Sequence, residues 1–398
     1  MISHKNIVCV SNTTWEGFYT KSTVQIMSLL AKGNTVLFVE YPFTVKDLIS
    51  TLLGNGRAPV KRMLGLSKRL VVEQTNFDTT VYHLVIPPVL PVEFIKIESL
   101  YTLLLKLNSY VYARSIRRAL RKLKMENPVC INAYNAIYGR NLIGRIKEKL
   151  HLFYCYDGPN TGRYGQRAAV ADQGFATQVD GVIVTSDFLA TSLKEFNPEM
   201  YVVKNGVDFK IFNQHAKTEL NSGSKRKKVG YIGSLDQRFD IATIEYSVQQ
   251  LADYDFEFIG ELMNKTIRER LSSYPNVKFK PPVKPYEVPG LLQKCDVGLI
   301  PYICDEYSKN IYPLKINEYL SVGVPVVLTS FAHLPEFNHI VSFTNGKEAF
   351  CKAIVREIES DNPENITKRI QFAEKNSWEN RAQLFEDIID TLAEKKRN

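Results

Sequence analysis

The sequence predicts an α/β protein made of two Rossmann-like, doubly wound domains that face a central cleft, with a C-terminal helix packing back on the first domain. The chain has 398 residues, more than one core usually holds, so two domains of roughly 150–200 residues are expected. Short apolar strands alternate with amphipathic helices in both halves, which is typical of parallel sheets covered on both faces. A polar, basic stretch at residues 213–228 separates the two alternations and indicates an exposed connection.

The first half opens on a strand–helix–strand unit. An apolar strand at Asn6–Ser11 precedes a polar loop over residues 12–17 and a helix whose apolar residues recur at helical spacing from Val24 to Ala31. A strand at Thr35–Glu40 completes the unit. Further strands of this half are predicted at Val129–Ala133, Leu152–Tyr156, Gly181–Thr185 and Met200–Lys204.

The second half repeats the alternation without repeating the sequence. A helix at Trp378–Ala393 closes the chain and has an apolar face. The strands of this half are predicted at Lys228–Ile232, Phe256–Ile259, Val277–Phe279, Val297–Ile300 and Pro325–Leu328. The predicted domains are residues 1–205, residues 206–377 and a crossing helix at 378–398.

Composition excludes several classes of protein. Hydrophobic residues make up 44% and charged residues 23%, as in ordinary globular proteins rather than disordered ones. Six cysteines without a Cys-x-x-Cys pair argue against a zinc site or a disulfide framework. The net charge of +9 favours an anionic partner, which leaves nucleic acid, an anionic membrane and a phosphorylated substrate open.

The start of the chain and its hydropathy predict a cytoplasmic protein. Polar Ser3, His4 and Lys5 precede a short apolar strand, which is not the pattern of a signal peptide. No apolar run approaches the roughly 20 residues that a membrane-spanning helix needs.

The segment Tyr312–Val327 contains the strongest binding motif. Pro313 suits the first position of a helix, because its missing N–H would be unpaired there, and Gly323 suits the end. The free amides of Leu314 and Lys315 form an anion site to which the lysine adds a charge, so a diphosphate would fit. Glu318 lies three residues on, where it would accept ribose hydroxyls. The alternative is a surface ion pair between Lys315 and Glu318.

A second motif, Gly230–Arg238, follows the first strand of the second half. Gly233 lets the backbone approach a phosphate, and Arg238 offers a planar pair of donors for phosphate oxygens; Ser234 lies between them in the same turn. The alternative is a plain turn with a solvated arginine.

Together these motifs resemble those of retaining glycosyltransferases with the GT-B fold, in glycosyltransferase family 4. The resemblance covers most of the chain and is strongest in the second half. It is carried by Val229–Leu235, Phe256–Gly260, Asn276–Phe279, Leu292–Tyr302 and Pro313–Val327, together with a junction turn at Val203–Asp208.

The resemblance implies donor contacts at two glutamates eight positions apart. Glu318 matches the second, which contacts the ribose, but the first falls on Asn310, a departure that leaves the donor sugar open. Val283 is expected to border the base pocket. The donor-binding candidates are thus Gly233, Ser234, Arg238, Val283, Asn310, Leu314, Lys315 and Glu318.

The resemblance also implies an acceptor side in the first half. The loop with Trp15 and Gly17 resembles the family's first loop, which lies under the leaving phosphates; the alternative is a surface turn. Asp157, in Tyr154–Pro159, is a candidate for steering the acceptor hydroxyl or stabilising the sugar cation, or else for capping its turn. Asn132, Tyr134 and Asn135 are expected to line the pocket. Asp157, Arg238 and Lys315 are therefore the catalytic candidates.

The predicted reaction moves a sugar from a UDP- or GDP-sugar to a glycan or lipid-linked glycan, with retention of configuration, in bacterial-type surface polysaccharide synthesis. The nucleotide sugar is a co-substrate, and no cofactor or metal is expected, because Asp253-Tyr254-Asp255 precedes a strand, where acidic residues commonly form turns. The alternatives are a sugar-nucleotide epimerase of the same fold and a non-catalytic sugar-nucleotide-binding protein. No zinc or RNA-binding pattern supports a nucleic-acid partner, and the sequence does not indicate an oligomeric state.

A basic amphipathic helix is predicted at residues 113–124. With Lys61, Arg62, Lys68 and Arg69 it favours an anionic membrane surface, so a peripheral position on the inner face of the cytoplasmic membrane is expected. The alternative is a solvated helix face.

Overall fold

The computed structural model describes residues 4–17, 21–158, 162–221 and 226–397. The chain divides into two structural units, Met1–Lys204 with Ala382–Asn398, and Asn205–Arg381. Ser3, Pro159 after the candidate Asp157, and residues 222–225 of the predicted connection lie outside the described residues. Each unit has its own sheet and its own hydrophobic core.

The strands of the first unit are β1 (Asn6–Ser11), β2 (Thr35–Val39), β3 (Leu70–Gln74), β4 (Thr80–Leu84), β5 (Val129–Ala133), β6 (Leu150–Cys155), β7 (Gly181–Val184) and β8 (Met200–Val202). Over the described residues they form one sheet in the order β3-β4-β2-β1-β5-β6-β7-β8, in which only β3 and β4 pair antiparallel. Strands β5, β6 and β7 are buried along their whole length, as parallel strands covered on both faces must be.

The helices of the first unit are α1 (Ser22–Leu30), α2 (Val45–Leu52), α3 (Val60–Met63), α4 (Glu98–Leu123), α5 (Ala136–Gly139), α6 (Gly162–Ala176) and α7 (Asp187–Leu193). Helix α4 packs one face into the core through Leu105, Tyr112 and Ile116. It connects β4 to β5, whereas α1 connects β1 to β2, so the chain direction across the sheet reverses beside β1. Such a reversal is where doubly wound sheets bind ligands, beyond the carboxyl ends of their strands.

The strands of the second unit are β9 (Lys228–Ile232), β10 (Asp255–Ile259), β11 (Val277–Lys280), β12 (Val297–Ile300), β13 (Val326–Thr329) and β14 (Ser342–Thr344). Its helices are α8 (Phe209–Asn213), α9 (Ile241–Gln250), α10 (Lys265–Leu271), α11 (Val288–Leu292), α12 (Leu314–Ser321), α13 (Lys347–Glu359) and α14 (Pro363–Lys375). In the described part of this unit all strands are parallel, in the order β11-β10-β9-β12-β13-β14.

A final helix, α15 (Trp378–Lys395), begins in the second unit and continues into the first from Ala382. Phe385 packs edge-on against Tyr154 with ring centroids 5.2 Å apart. Lys5 pairs with Glu386 and Asp390 at 3.2 and 3.1 Å. The prediction that the last helix packs on the first domain is confirmed.

The predicted strands are all present, and their ends agree within two residues. The sequence did not predict β3, β4 or β14, because β3 is a partly exposed edge strand and β14 has only three residues. None of the described helices combines the length and apolar character that crossing a bilayer requires.

Candidate active site

The amino end of α12 lies at the carboxyl edge of the second sheet, next to the turn after β9. Pro313 is the residue before the first helical residue, not the first helical residue as predicted, and it still stops the chain from extending the helix backwards. The first N–H groups of a helix have no partner inside it, so those of Leu314 and Lys315 are available to an anion. Gly323 follows the helix with φ +81°, as expected for a helix-ending glycine.

Lys315 lies directly against Gly233. A Cβ on Gly233 would be 2.2 Å from Cε and 2.6 Å from Nζ of Lys315, so only glycine leaves room for the lysine. Gly260, after β10, is equally confined, because its Cβ would be 2.0 Å from the Gly233 carbonyl oxygen. The structure therefore brings the two sequence motifs together through close packing of the backbone and one lysine.

Two tyrosines fix the direction of the Lys315 side chain. Its ammonium donates a hydrogen bond to the Tyr302 hydroxyl at 3.1 Å and lies 5.4 Å from the centre of the Tyr231 ring. Burial alone would raise the pKa of Tyr302, but the charges of Lys315 and Arg238 outweigh burial and lower that pKa below its usual value. Tyr302, which sequence reasoning missed, is thus a positioning residue for both cations.

Arg238 is already engaged by a neighbouring carboxylate. Its Nε donates to Asp236 Oδ1 at 2.9 Å and a terminal nitrogen donates to Oδ2 at 2.5 Å, while its guanidinium lies 5.2 Å from the Tyr302 ring centre. Burial would raise the pKa of Asp236, but the bonds from Arg238 hold it below its usual value. Asp236 thus balances the charge of Arg238 and occupies two of its nitrogens, whereas no carboxylate of the described residues forms an ion pair with Lys315. The binding of phosphate by Arg238 stays a prediction.

Glu318 is partly buried and makes no ion pair with Lys315, so the predicted surface-pair alternative is not what the structure contains. Within the described residues its carboxylate receives no hydrogen bond. Burial raises the pKa of Glu318, and Lys315 partly opposes that shift. A half-buried carboxylate without a partner costs free energy unless a ligand donates to it.

Three other donor candidates have mainly local contacts. Asn310 ends a 3₁₀ turn at Ser308–Asn310, and its amide nitrogen donates to the carbonyls of Glu306 and Tyr307 at 2.9 and 3.2 Å. The carbonyl oxygen of Ser234 accepts a 2.7 Å bond from the Tyr231 hydroxyl. Val283 packs partly against the core of the unit.

In the first unit, the loop at residues 12–17 is tied to the ends of β1 and β2. The Trp15 N–H donates to Glu40 Oε1 at 3.0 Å, and its ring packs on Phe38 with centroids 5.0 Å apart. Lys21 donates to the carbonyls of Thr14 and Glu16. Trp15 is therefore half-buried, not exposed as its loop position suggested.

A cavity of about 840 Å³ adjoins this loop, and all of its lining residues belong to the first unit. Gly17 and Glu16 border it, together with Asp47 and Arg57 from the β2–β3 connection. Charged and hydroxyl-bearing side chains make up half of the lining residues, so the cavity offers hydrogen-bonding groups to a hydroxyl-rich molecule beside its apolar surface.

A buried polar cluster forms one wall of the cavity. The His83 ring contacts Glu40 through Nε2, and its Nδ1 lies 3.2 Å from Glu73 and 3.3 Å from Arg62. Burial lowers the pKa of Arg62, and Glu40 and Glu73 oppose that shift. Glu40 thus joins the cluster to the Trp15 loop.

The candidate residues at the end of β5 are mostly buried. Asn132 is fully buried, where its side-chain oxygen lies 2.9 Å from His151 Nε2, and buried Asn135 donates to the Ser11 carbonyl at 3.3 Å. Neither residue belongs to the lining of the 840 Å³ cavity, and their expected place in a pocket stays a prediction. Tyr134 is partly exposed and donates to the Gly158 carbonyl at 2.7 Å.

Asp157 follows β6 and is partly exposed. Its Oδ1 accepts the N–H of Gly158 at 2.9 Å, so the turn-capping alternative describes one of its contacts. In α6, burial raises the pKa of Asp172 to about 7. Sequence reasoning missed Asp172, because nothing in its helical pattern shows that it is buried.

Comparison with known proteins finds a family match within the second unit. Residues 226–360 match the family model described as Glycosyl transferases group 1. TuaH of Bacillus subtilis (strain 168), named as a teichuronic acid biosynthesis glycosyltransferase, is 28% identical to the chain over 162 residues. That match spans 38% of this chain and 41% of TuaH.

Solved structures show the same fold over nearly the whole chain. The α,α-trehalose 6-phosphate synthase of Burkholderia multivorans aligns with a TM-score of 0.69 at 10% identity, covering 98% of this chain and 99% of that one. HepE of Anabaena, solved in complex with UDP and glucose, aligns with a TM-score of 0.64 at 13% identity, covering 96% and 99%. The predicted GT-B class, with two Rossmann-like domains, is confirmed.

All the donor-binding candidates, from Gly233 to Glu318, lie within the matched residues 226–360. Over the described residues, no cluster of three or more His, Cys, Asp or Glu side chains is arranged to hold a metal ion. Metal independence therefore stays a prediction for a reaction assay.

Proposed function

We propose that this chain is a glycosyltransferase that moves a sugar from a UDP-sugar to a glycan acceptor in polysaccharide biosynthesis. The observation that carries the proposal is the meeting of Lys315, Gly233 and the amino end of α12 at the carboxyl edge of the second sheet. The HepE complexes with UDP and UDP-glucose favour uridine over guanosine as the base, and TuaH supports the polysaccharide context.

In the proposed mechanism, the donor diphosphate binds at the start of α12. The helix amides and Lys315 stabilise the charge that develops on the leaving phosphate. Glu318 accepts hydrogen bonds from the ribose, which gives its unpartnered carboxylate a partner. Arg238 stabilises the leaving phosphate less than Lys315 does, because Asp236 balances its charge.

The proposed transfer retains the configuration of the sugar. The bond between the anomeric carbon and the phosphate oxygen breaks, and the acceptor oxygen attacks the same face. The departing phosphate takes the acceptor proton, so no separate base is required. Neither a metal ion nor a cofactor takes part in this proposal.

We assign the acceptor to the cavity of the first unit. The charged and hydroxyl-bearing side chains in its lining can bond the hydroxyl groups of a glycan, and Glu40 joins that lining to the Trp15 loop. Asp157 stays in the proposal as the group that orients the acceptor or stabilises positive charge on the sugar. A lipid-linked glycan, reached from a peripheral position on the membrane, completes the proposal.

The proposal is tested by measuring UDP release from UDP-glucose in the presence of a panel of glycans, with product configuration determined by NMR. Replacing Lys315 with alanine removes a charge-assisted hydrogen bond of about 1.5–3 kcal/mol, so the rate should fall roughly 10- to 100-fold. Lys309→Ala is the matched control, because that lysine is exposed and pairs with Glu306 on the same loop.

Equal rates for Lys315→Ala and the parent would refute the donor assignment. Inversion of configuration would refute the same-face mechanism, and loss of activity in chelator would refute metal independence. Nucleotide binding without transfer to any glycan would point instead to the epimerase or the non-catalytic alternative.

A further inference from the structure

The outer face of α4 carries a continuous row of large apolar side chains. Leu100, Leu103, Leu107 and Tyr110 are 42%, 56%, 50% and 50% exposed. Because they are spaced by three or four residues, they lie along one side of the helix. Single exposed apolar side chains are common on protein surfaces, but three leucines and a tyrosine in a row along one face form a patch that indicates an interaction site.

The same face continues as a row of arginines. Arg114, Arg118 and Arg121 keep the three- and four-residue spacing and are all exposed. Within the described part of the chain, no carboxylate forms an ion pair with any of them. We call the face from Leu100 to Arg121 the α4 stripe; its first half is apolar and its second half is cationic.

The stripe is not needed to hold α4 in place. The opposite face buries Tyr112 and Ile116 in the core. The Asn108 side chain also accepts from the N–H and donates to the carbonyl of Leu90, at 2.9 and 2.8 Å. The helix is therefore anchored by its other side, and the stripe is presented on a fixed support.

A second copy of the chain is a poor partner for the stripe. Two parallel copies of α4 would place arginine against arginine, which is repulsive. Two antiparallel copies would place the arginines against the leucines and bury charges without partners. The pattern of charge along the stripe therefore argues against self-association.

A bilayer that contains anionic lipids can bind both the apolar half and the cationic half of the stripe. Apolar side chains of an interfacial helix enter the boundary between headgroups and acyl chains, and arginines reach lipid phosphates. The net charge of +9 adds a long-range attraction to such a surface. We propose that the α4 stripe docks on an anionic lipid bilayer.

This inference rests on the peripheral position in the proposed function and names the surface that makes the contact. It also changes which basic residues are involved. Arg62 donates to the Arg69 carbonyl at 3.0 Å, and Arg69 donates to the Met63 carbonyl at 2.8 Å, so both side chains turn towards the protein. The sequence had grouped them with the membrane-facing residues.

Co-sedimentation of the full chain with phosphatidylglycerol–phosphatidylcholine vesicles tests the inference, with pure phosphatidylcholine as the neutral comparison. The parent should prefer the anionic vesicles. The triple variant Arg114→Gln, Arg118→Gln and Arg121→Gln should bind them on the order of 100-fold more weakly, since each basic residue near the surface contributes about a fivefold effect. Its matched control replaces exposed Lys278, Lys352 and Lys375 with glutamine.

The apolar half is tested by Leu100→Gln, Leu103→Gln and Leu107→Gln, which should weaken binding more than tenfold. The matched control carries glutamine at three exposed apolar positions outside α4, Val72, Met263 and Leu384. Circular dichroism melting establishes that each variant is folded before its binding is measured.

No preference of the parent for anionic vesicles would overturn the inference. Equal weakening of vesicle binding by the control variants would also overturn it. So would a parent chain that binds no vesicles but forms a dimer, if the triple leucine variant dissociates that dimer. Binding is measured without donor or acceptor, and UDP stabilisation is recorded on the same variants. If the stripe variants bind vesicles as the parent does while UDP still stabilises the chain, the membrane inference is refuted and the proposed transfer reaction is not.

Discussion

Replacing Gly233 with alanine should disable the donor site through Lys315. The new Cβ would be 2.2 Å from Lys315 Cε, so the flexible lysine must leave its place beside the Tyr302 hydroxyl. Gly233 also has φ +148°, a conformation that costs a residue with a side chain on the order of 1–3 kcal/mol. Two separate effects are thus expected, one on stability and one on binding.

The binding effect should approach that of removing the lysine. Loss of a charge-assisted contact of about 1.5–3 kcal/mol corresponds to roughly 10- to 100-fold weaker binding of UDP, measured by isothermal titration calorimetry. Gly144→Ala is the control for backbone strain, because Gly144 has φ +72° and nothing lies within 4 Å of its added Cβ. That control should lower the melting temperature without changing UDP affinity.

A double-mutant cycle isolates the clash. In a Lys315→Ala background, Gly233→Ala should weaken UDP binding no further, because the side chain it displaces is already gone. Unchanged UDP affinity in the Gly233→Ala single variant, or fully additive effects in the double variant, would refute the reasoning.

Three further results are expected. Tyr302→Phe removes the acceptor of the Lys315 hydrogen bond, worth about 0.5–1.5 kcal/mol, so UDP should bind about 3- to 10-fold more weakly in calorimetry while the melting temperature changes little. Asp172→Asn should remove part of the pH dependence of the free energy of unfolding, measured by urea unfolding. The pKa of Asp172 in the folded state, about 7, is above its usual value. The carboxyl group therefore stabilises the fold below about pH 4 and loses that contribution as the pH rises to about 7. The variant should therefore be more stable than the parent at pH 8, and equal slopes in both would contradict the assignment. Glu40→Ala removes the acceptor of the Trp15 N–H and a partner of the cavity cluster, so the KM for the glycan should rise while UDP affinity is unchanged; a loss of UDP affinity instead would contradict the assignment of the cavity.

The parts of the fold that the sequence predicted have strong local signals. The strands at Asn6–Ser11 and Lys228–Ile232 are short apolar runs that continue into polar or glycine-containing turns, and both have the predicted bounds. Gly323 marks the end of α12, because it can adopt the positive φ that stops a helix. Such features depend on a few neighbouring residues, so they can be predicted from a single sequence.

The missed parts of the site depend on contacts between distant elements. Glu40 and His83 meet only because β2 and β4 are neighbours in the sheet, and β4 had not been predicted. Asn132 lies near the end of the predicted strand Val129–Ala133, where a pocket-lining role was expected, but Gly139 of α5 and His151 on β6 pack against its side chain. Burial and pairing across the sheet are set by tertiary packing, which local patterns do not record.

Arg238 illustrates a different limit. Its position after a glycine turn indicates an anion ligand, and the same turn also supplies Asp236, two residues earlier, as its partner. Whether two such side chains point at each other or towards a ligand depends on the backbone of the turn and on the Tyr302 ring beneath them. The structure shows Arg238 paired with Asp236, and for this reason the proposed function gives the main anion-binding role to Lys315.

The most direct test of the central claim is thermal stabilisation of the chain by UDP, compared with GDP and ADP, with and without magnesium or chelator. A ligand at a hundred times its dissociation constant adds about 2.7 kcal/mol of stability, which raises the melting temperature measurably. The account predicts a rise with UDP that persists in chelator and is reduced by Lys315→Ala. A melting temperature that no nucleotide changes would contradict it.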